Sequence, residues 1–327
     1  MAAAAQNDEQ QLEIVVLGVG KGASAVYEGN CSSSIVIRDK KSKHILLLVD
    51  IGLGVFRQLL KHTVPCEQQN QQNLQQNQQN LQQQEQLQQE QEQNLHSGLP
   101  SPVVSSPVVS PSPIVPSPSQ QKNHYNVFVT HNHSDHSGEL PVVISVEAMK
   151  GNTIRIFSQR LVSKRLRELR CAELFSCTAL AQLEKHTEWI CCDESVRVPL
   201  DTPCKWHKLP RLWIQVLRAQ HSELCYGFLL FRTDNQDDQP ILAFSGDSGC
   251  DHLFFDQLWR AKMLFLDGRK VGTWEHAGFS EIEDFYQRKQ LLDRTVYVYH
   301  YGNPESEKPL FKNKNISAVV PGQIIDL

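Results

Sequence analysis

The heptapeptide THNHSDH at residues 130–136 decides how this sequence is interpreted. It follows the apolar run YNVFV at residues 125–129, which is typical of a β-strand, and it precedes a predicted helix that begins near Ser137 or Glu139. With 13 His and 16 Asp among 327 residues, an HxHxDH pattern arises by chance with a probability of roughly one in a thousand. The pattern therefore indicates a chemical role for these side chains, in preference to a polar loop of unrelated histidines.

The side chains of this stretch suit a metal ion. Along an extended segment alternate side chains share a side, which groups His131, His133 and Asp135, and His136 joins them if the chain turns into the helix. Three imidazoles and a carboxylate without a cysteine among them favour one or two borderline divalent ions such as zinc, manganese or iron. A metal site at the end of a strand is therefore predicted.

Outward from this stretch, apolar runs rich in β-branched residues predict strands in both halves of the chain. These runs lie at residues 12–18, 33–37, 44–50, 153–157, 213–219, 225–231, 241–247, 262–268 and 295–300. Helices are predicted at residues 55–62, 158–170, 255–260 and 280–292, the last because Ser280 and Glu283 match a capping box. Mixed strands and helices in two similar halves predict an α/β fold, with two sheets face to face and helices outside.

Residues 67–121 differ in composition from the rest of the chain. They form a Gln/Asn tract followed by a Ser/Pro/Val stretch, which cannot build a core. We expect a disordered insert within a single domain that spans residues 1–327. Because leucines recur about once per heptad, at Leu74, Leu81, Leu87 and Leu95, a partner-binding helix is the alternative.

Composition and charge exclude several classes of protein. The chain has 32 basic and 36 acidic residues, so it is not a strongly basic nucleic-acid binder. Its nine cysteines lack CxxC spacing, which favours reduced thiols. The first residues, MAAAAQNDEQQ, fit neither a secretory nor an organelle presequence, and no apolar run approaches the ~18 residues of a membrane helix. These features predict a cytoplasmic protein without a membrane partner.

HxHxDH after a strand, with LVDIG upstream at residues 48–52, resembles the metallo-β-lactamase superfamily. Later motifs follow in that family's order: AQHSELCYGF at 219–228, FSGDSG at 244–249 and YVYHYG at 297–302. The resemblance covers nearly the whole chain outside the insert. It implies the four-layer αββα sandwich of two mixed β-sheets flanked by helices that is named after the family.

The resemblance also implies two divalent metal ions, with zinc favoured and manganese or iron as alternatives. One ion would be held by His131, His133 and His221, the other by Asp135, His136 and His300, and Asp247 would bridge them. Asp50 resembles the family's buried aspartate that orients a ligand histidine. Without the resemblance, His221 is also consistent with a capping or surface residue, and Asp247 and Asp50 are also consistent with turn formers.

His276 in WEHAGF resembles a histidine of the phosphodiesterase branch, which includes ribonuclease Z and small cyclic phosphodiesterases. There it helps to handle the scissile phosphate and the leaving group, although a surface histidine before a helix is the alternative. The motifs together look most like the small cyclic phosphodiesterases. They imply hydrolysis of a cyclic nucleotide-like or small phosphodiester by a bridging metal hydroxide, with Asp135 and His276 as catalytic residues.

Other functions stay open. Ribonuclease Z usually carries a long insertion between the strand of its third histidine and its bridging aspartate, and also a Gly/Pro-rich arm. In this sequence the interval between His221 and Asp247 lacks the insertion, and residues 137–220 lack the arm. RNA remains an alternative partner because a basic helix face is formed by Arg160, Lys164, Arg165, Arg167 and Arg170. A glyoxalase II-like thioesterase, a di-iron oxidoreductase and a non-enzymatic descendant are further alternatives, and a homodimer is left open. The Gly18-x-Gly20-x-Gly22 pattern favours a turn between strands over a nucleotide loop.

Overall fold

The computed structural model describes residues 11–22, 27, 29–63, 124–172, 174, 184–200, 211–233, 238–289 and 293–327. The chain divides into two units, residues 1–59 with 121–327 and residues 60–120, and both sheets belong to the first unit. The insert predicted at residues 67–121 lies outside the described residues, as do its leucines. In the part of the chain that the structure describes, no helix is long and apolar enough to cross a membrane.

Seven strands form the first sheet. They are β1 (Leu12–Gly18), β2 (Ser34–Asp39), β3 (Ile45–Val49), β4 (His124–Phe128), β5 (Thr153–Gln159), β6 (Thr187–Cys192) and β14 (Ile324–Asp326). Their order across the sheet is β14-β1-β2-β3-β4-β5-β6. Pairing is antiparallel from β14 to β3 and parallel from β3 to β6, so the sheet is mixed as predicted.

Seven further strands form the second sheet. They are β7 (Val198–Leu200), β8 (Leu212–Arg218), β9 (Tyr226–Arg232), β10 (Leu242–Phe244), β11 (Met263–Asp267), β12 (Thr295–Tyr299) and β13 (Ile316–Ala318). Their order is β13-β12-β11-β10-β9-β8-β7, parallel from β10 to β13 and antiparallel from β7 to β10. The parallel strands of each sheet end at a common edge, where loops can carry side chains toward one place.

Helices connect the parallel strands, because a parallel pair requires a crossover. The first sheet has α1 (Val55–Thr63), α2 (Ser134–Ser137), α3 (Leu140–Met149) and α4 (Arg160–Arg165), which continues as a π-helical turn at Leu166–Arg170. The second sheet has α5 (His252–Leu258) and α6 (Phe279–Arg288).

Apolar side chains of the strands and helices form two clusters. The larger cluster joins both sheets, through contacts such as Phe128 with Phe228 at 4.8 Å between ring centroids, and includes Val143 of α3. The smaller cluster packs Phe255 of α5 and Phe285 of α6 against the second sheet. Two seven-stranded mixed sheets with flanking helices confirm the predicted αββα fold.

Two details differ from the sequence-based expectation. The helix predicted at 280–292 begins at Phe279 and ends at Arg288, and its first turn is closed by the Gly278 N–H, which donates to Glu281 Oε2 at 2.6 Å. Ser280 with Glu283 is therefore not the capping box, because Glu283 accepts from the backbone N–H of Lys312. Strands β6, β7, β13 and β14 were not predicted, since three of them have only three residues and β6 mixes buried with exposed positions.

Candidate metal centre

The predicted site residues all follow the ends of strands. Asp50 comes directly after β3, the 130–136 stretch after β4, Asp247 shortly after β10 and His300 directly after β12. Asp50 and His300 adopt left-handed backbone angles, with φ of 58° and 61°, which residues with a side chain seldom adopt. Such strained backbone conformations persist only where the surrounding structure holds them in place, and they are often found at functional sites.

Asp247 lies between two sets of histidines. Its Oδ2 is 3.9 Å from His131 Nε2 and 4.0 Å from His221 Nε2, whereas its Oδ1 is 3.2 Å from both His136 Nε2 and His300 Nδ1. One carboxylate oxygen therefore faces each set, which is the arrangement of a carboxylate that two cations share.

The other predicted ligands complete the two sets. His131, His133 and His221 place ring nitrogens within 4.8 Å of one another, and so do the ligand atoms of Asp135, His136 and His300. The structure thus brings together all seven residues expected from the family resemblance. These His/Asp clusters are consistent with a binuclear metal site.

The fit to cations can be judged from buried polar atoms. Within the described residues, Nε2 of His131, Nε2 of His136 and Oδ1 of Asp247 are buried and make no hydrogen bond. Unpaired buried polar atoms cost free energy, so their convergence on one place indicates a ligand that all of them bind. Imidazole nitrogens and carboxylate oxygens are the donor atoms that zinc and related divalent ions take, so the residues fit the implied metals.

The electrostatics of the cluster favour ionised carboxylates. Burial opposes the charge of Asp247, but His136 and His300 hold the pKa of its carboxyl well below the usual value. Burial likewise opposes the protonation of His300, yet Asp247 and Asp267 raise its pKa to about 9. The pKa of His131 is lowered, first by burial and then by the nearby His136. The centre is thus rich in buried negative charge, which attracts cations.

Asp50 orients one of the ligand histidines. It is fully buried, its Oδ2 lies 2.7 Å from His136 Nδ1, and its Oδ1 accepts from the backbone N–H of Thr130 at 2.8 Å. Since an ionised carboxylate only accepts, the Nδ1 of His136 carries the proton and its Nε2 is left for a metal. Asp50 therefore contacts His136, one of the predicted ligands, from the side that the family resemblance implies.

Asp267 orients two histidines in the same way, and the sequence did not lead us to predict it. Its Oδ2 is 2.7 Å from His276 Nδ1 and accepts from the Ser248 N–H at 3.0 Å, and its Oδ1 is 3.1 Å from His300 Nδ1. A signal was present in the sequence, because MLFLD at residues 263–267 ends a buried apolar strand with an aspartate, as ILLLVD does at residues 45–50.

His276 lies at the opening of the centre. Its side chain is 14% exposed, whereas those of Asp247 and His300 are 2% or less. Its Nδ1 is 3.9 Å from Asp247 Oδ2, but its nearest partner is Asp267. The alternative of an exposed surface histidine is therefore not supported, and His276 lies beside the predicted ligands without belonging to either set of three.

Two sets of hydrogen bonds hold the HxHxDH stretch in place, one from a backbone N–H group and one from an arginine side chain. Gly22, at φ of 66°, donates its backbone N–H to Asp135 Oδ2 at 2.7 Å, so the predicted turn after β1 contacts the metal centre. Arg170 donates to the Asn132 carbonyl at 2.7 Å and to Ser137 Oγ at 3.2 Å. Arg170 thus faces inward and does not belong to the basic helix face predicted for RNA.

The other members of that predicted face lie close to acidic side chains. Arg165 pairs with Glu223, and Arg167 pairs with Glu184 at 2.7 Å. Arg160 and Lys164 lie 4.0 Å from Asp193 and Glu168 respectively. Acidic neighbours offset these charges, which weakens the case for a polynucleotide partner.

Two mixed sheets with a His/Asp centre at their strand ends define a metallo-β-lactamase-fold metal-dependent hydrolase. Solved structures with this fold include the metallo-β-lactamase fold protein YhfI from Bacillus subtilis, with a TM-score of 0.57, 13% identity, and 97% of this chain and 100% of that chain covered. A diphosphatase of the PhnP family has a TM-score of 0.53 and 10% identity, and 97% of each chain is covered. Human tRNase Z, short form, has a TM-score of 0.51 and 13% identity, and 96% of this chain and 98% of that chain are covered.

The family is shown by sequence. The family model described as Anti-Pycsar protein Apyc1 matches residues 118–325, which is more than half of the chain, and the chain belongs to this family. No curated protein matches the chain by sequence. Family and site together make the chain a metal-dependent phosphodiesterase, as the resemblance implied.

Proposed function

We propose that the chain hydrolyses the cyclic phosphodiester of a cyclic nucleotide and uses two zinc ions. His131, His133 and His221 would hold one ion, Asp135, His136 and His300 the other, and Asp247 both. The observation that carries the proposal is that the two oxygens of Asp247 face two separate histidine sets. Membership of the Apyc1 family supports a cyclic nucleotide as the substrate.

When bound, two divalent ions would supply the Lewis acidity that ionises water near neutral pH and offsets the charge of a phosphodiester. Asp135 would both hold an ion and orient the attacking water, since its Oδ2 lies 3.3 Å from His300 Nε2 and is itself held by the backbone N–H of Gly22. The proposed ligands are buried except for the exposed His133, so bulk water has only limited access to this place. Low polarity strengthens every charge interaction that the substrate makes there.

His276 would act on the leaving oxygen. Because Asp267 holds its Nδ1, the Nε2 of His276 is the nitrogen that points away from that carboxylate. A protonated His276 donates from Nε2 to the alkoxide that departs when the ring opens, and Asp267 stabilises the imidazolium before the transfer. Opening the ring in this way yields a nucleoside monophosphate.

A panel of substrates tests this function. Purified protein is offered 3′,5′- and 2′,3′-cyclic nucleotides, bis(4-nitrophenyl) phosphate, a precursor tRNA and an acyl-glutathione thioester. We expect cyclic nucleotides to be hydrolysed with the highest kcat/KM, because membership of the Apyc1 family favours this substrate class. Faster cleavage of the thioester would support the glyoxalase II-like alternative, and specific 3′ cleavage of the tRNA would support the ribonuclease Z-like one.

Metal analysis tests the identity of the ions. Elemental analysis of protein purified without added metal is expected to find two zinc ions per chain. Chelation should abolish turnover, and zinc should restore it in the dialysed protein, because ligands this buried keep their arrangement through Asp50 and Asp267. Two manganese or iron ions per chain, with zinc unable to restore activity, would contradict the choice of zinc.

A further inference from the structure

Arg269 lies at the metal centre without a role in the chemistry described above. Its backbone N–H donates to the Ala277 carbonyl at 2.8 Å, and its own carbonyl accepts from Phe279 N–H at 2.9 Å. These two bonds close the loop that carries His276. They hold the half-buried Arg269 side chain and the His276 ring next to each other.

The hydrogen-bond partners of Arg269 are unusual for a guanidinium. Its Nη2 is 3.2 Å from His276 Nε2 and 3.5 Å from His300 Nδ1. His300 Nδ1 also lies 3.1 Å from Asp267 Oδ1, so it donates to that carboxylate and cannot accept from Arg269 at the same time. The one acceptor left to this nitrogen is a neutral imidazole, which is a weak partner for a cation.

Arg269 makes no direct ion pair among the described residues, although its charge helps to lower the pKa of the more distant Glu307. Its Nε is buried and makes no hydrogen bond there, and no carboxylate of the described chain lies within 4.0 Å of its guanidinium nitrogens. Among the described residues, several other half-buried or buried arginines bind oxygen acceptors, as Arg38 does with Glu13 at 2.6 Å, Arg155 with Glu188 at 2.9 Å and Arg170 with the Asn132 carbonyl at 2.7 Å. A half-buried guanidinium whose buried Nε has no hydrogen-bond acceptor is costly, so its presence beside the centre points to an anion that binds there.

The reaction supplies such an anion beside this group. A phosphodiester carries one negative charge shared by two non-bridging oxygens, and guanidinium N–H groups match that geometry. We propose that Arg269 binds a non-bridging oxygen of the substrate phosphate. This proposal rests on the phosphodiesterase function, and it makes Arg269 a substrate-binding residue of the centre.

The same step explains the contact between Arg269 and His276. When a phosphate oxygen takes the place of His276 as the acceptor for Nη2, the Nε2 of His276 is released. That nitrogen is then free to take a proton from solvent water and to donate it to the leaving oxygen. Substrate binding and the readiness of the proton donor are thereby linked through one arginine.

Two substitutions with a matched control test the proposal. Arg269→Gln removes the charge, Arg269→Lys keeps the charge without the planar fork, and Arg211→Gln removes an exposed arginine at the start of β8. Each variant is assayed for zinc content, for KM and kcat with bis(4-nitrophenyl) phosphate, and for competitive inhibition by inorganic phosphate. The rise in melting temperature on adding inorganic phosphate is measured as well, because it does not depend on turnover.

We expect Arg269→Gln to keep two metal ions and to weaken inhibition by phosphate about tenfold or more, which is the scale of one lost hydrogen bond between charged groups. KM should rise by a similar factor, and phosphate should raise the melting temperature less than in the wild type. Arg269→Lys should recover part of each effect. Arg211→Gln should behave as the wild type does.

Several outcomes would overturn the proposal. Unchanged phosphate inhibition in Arg269→Gln would show that the guanidinium does not contact the anion. Loss of metal in that variant would make Arg269 a support of His300. A wild type that phosphate does not stabilise would also exclude the site. If phosphate stabilises the wild type but no cyclic nucleotide is cleaved, the substrate assignment fails while the anion site stands.

Discussion

Asp247→Asn is expected to lose bound metal and activity together. The side chain is 2% exposed and sends one oxygen to each set of histidines, so an amide of the same shape presents an NH2 group to one set. Losing a hydrogen-bond partner of a metal ligand typically costs about 10–100-fold in affinity or activity. Loss of a shared ligand should exceed that range, and kcat/KM for a cyclic nucleotide should fall by more than about 100-fold.

Elemental analysis and steady-state kinetics on the same preparation check this expectation. Asp251→Asn is the matched control, because Asp251 lies four residues away and caps α5 through the N–H groups of Leu253 and Phe254. Asparagine serves equally well at that capping position, so stability and metal content should be unchanged. Two metal ions per chain in Asp247→Asn, with near-normal turnover, would contradict the shared ligation.

His276→Ala is expected to keep both metal ions and to lose kcat by about 10²–10⁴-fold, the usual contribution of a general acid or base. The residue stands beside the two ligand sets, and its nearest partner is the carboxylate of Asp267. Removing its ring therefore leaves all seven proposed ligands in place. Elemental analysis and kcat measurement on one preparation separate the two effects.

Comparing substrates with different leaving groups tests the role of His276 more directly in the same variant. 4-Nitrophenolate departs without much help from an acid, so the loss in His276→Ala should be smaller for bis(4-nitrophenyl) phosphate than for a cyclic nucleotide. His252→Ala is the control, since His252 begins α5 and contacts Arg288 away from the centre. Absence of metal in His276→Ala would refute the division of roles, because it would make His276 a ligand.

Much of the site could be predicted because it is encoded in local pattern. The HxHxDH stretch places four ligands within six residues, and no distant part of the chain is needed to recognise it. His221, Asp247 and His300 follow apolar runs, and their order along the chain matches a known family. The ends of strands can be predicted from such runs, because a strand that is buried on both faces of its sheet appears in the sequence as a continuous apolar segment.

The features of the site that were not predicted depend on contacts between residues that are distant in sequence. Asp267 looks like an ordinary aspartate at the end of a strand until β11 and β12 lie side by side and bring His300 to its Oδ1. Gly22 contacts Asp135 across 113 positions of the chain. Arg170 was assigned to a solvent-facing row by helical spacing, and the π-helical turn at Leu166–Arg170 breaks that spacing and lets the side chain face the loop.

The amino-acid sequence by itself determined the class of fold and the HxHxDH stretch that suits a metal ion, because apolar periodicity and ligand spacing are local properties. The remaining ligands and the second ion were implied by the resemblance to a known family. Only the tertiary structure decided which oxygen of Asp247 faces which histidines, which ring nitrogens are held by Asp50 and Asp267, and that Arg269 makes no direct ion pair among the described residues. These are distances between atoms on different strands, and they exist only once the two sheets have packed.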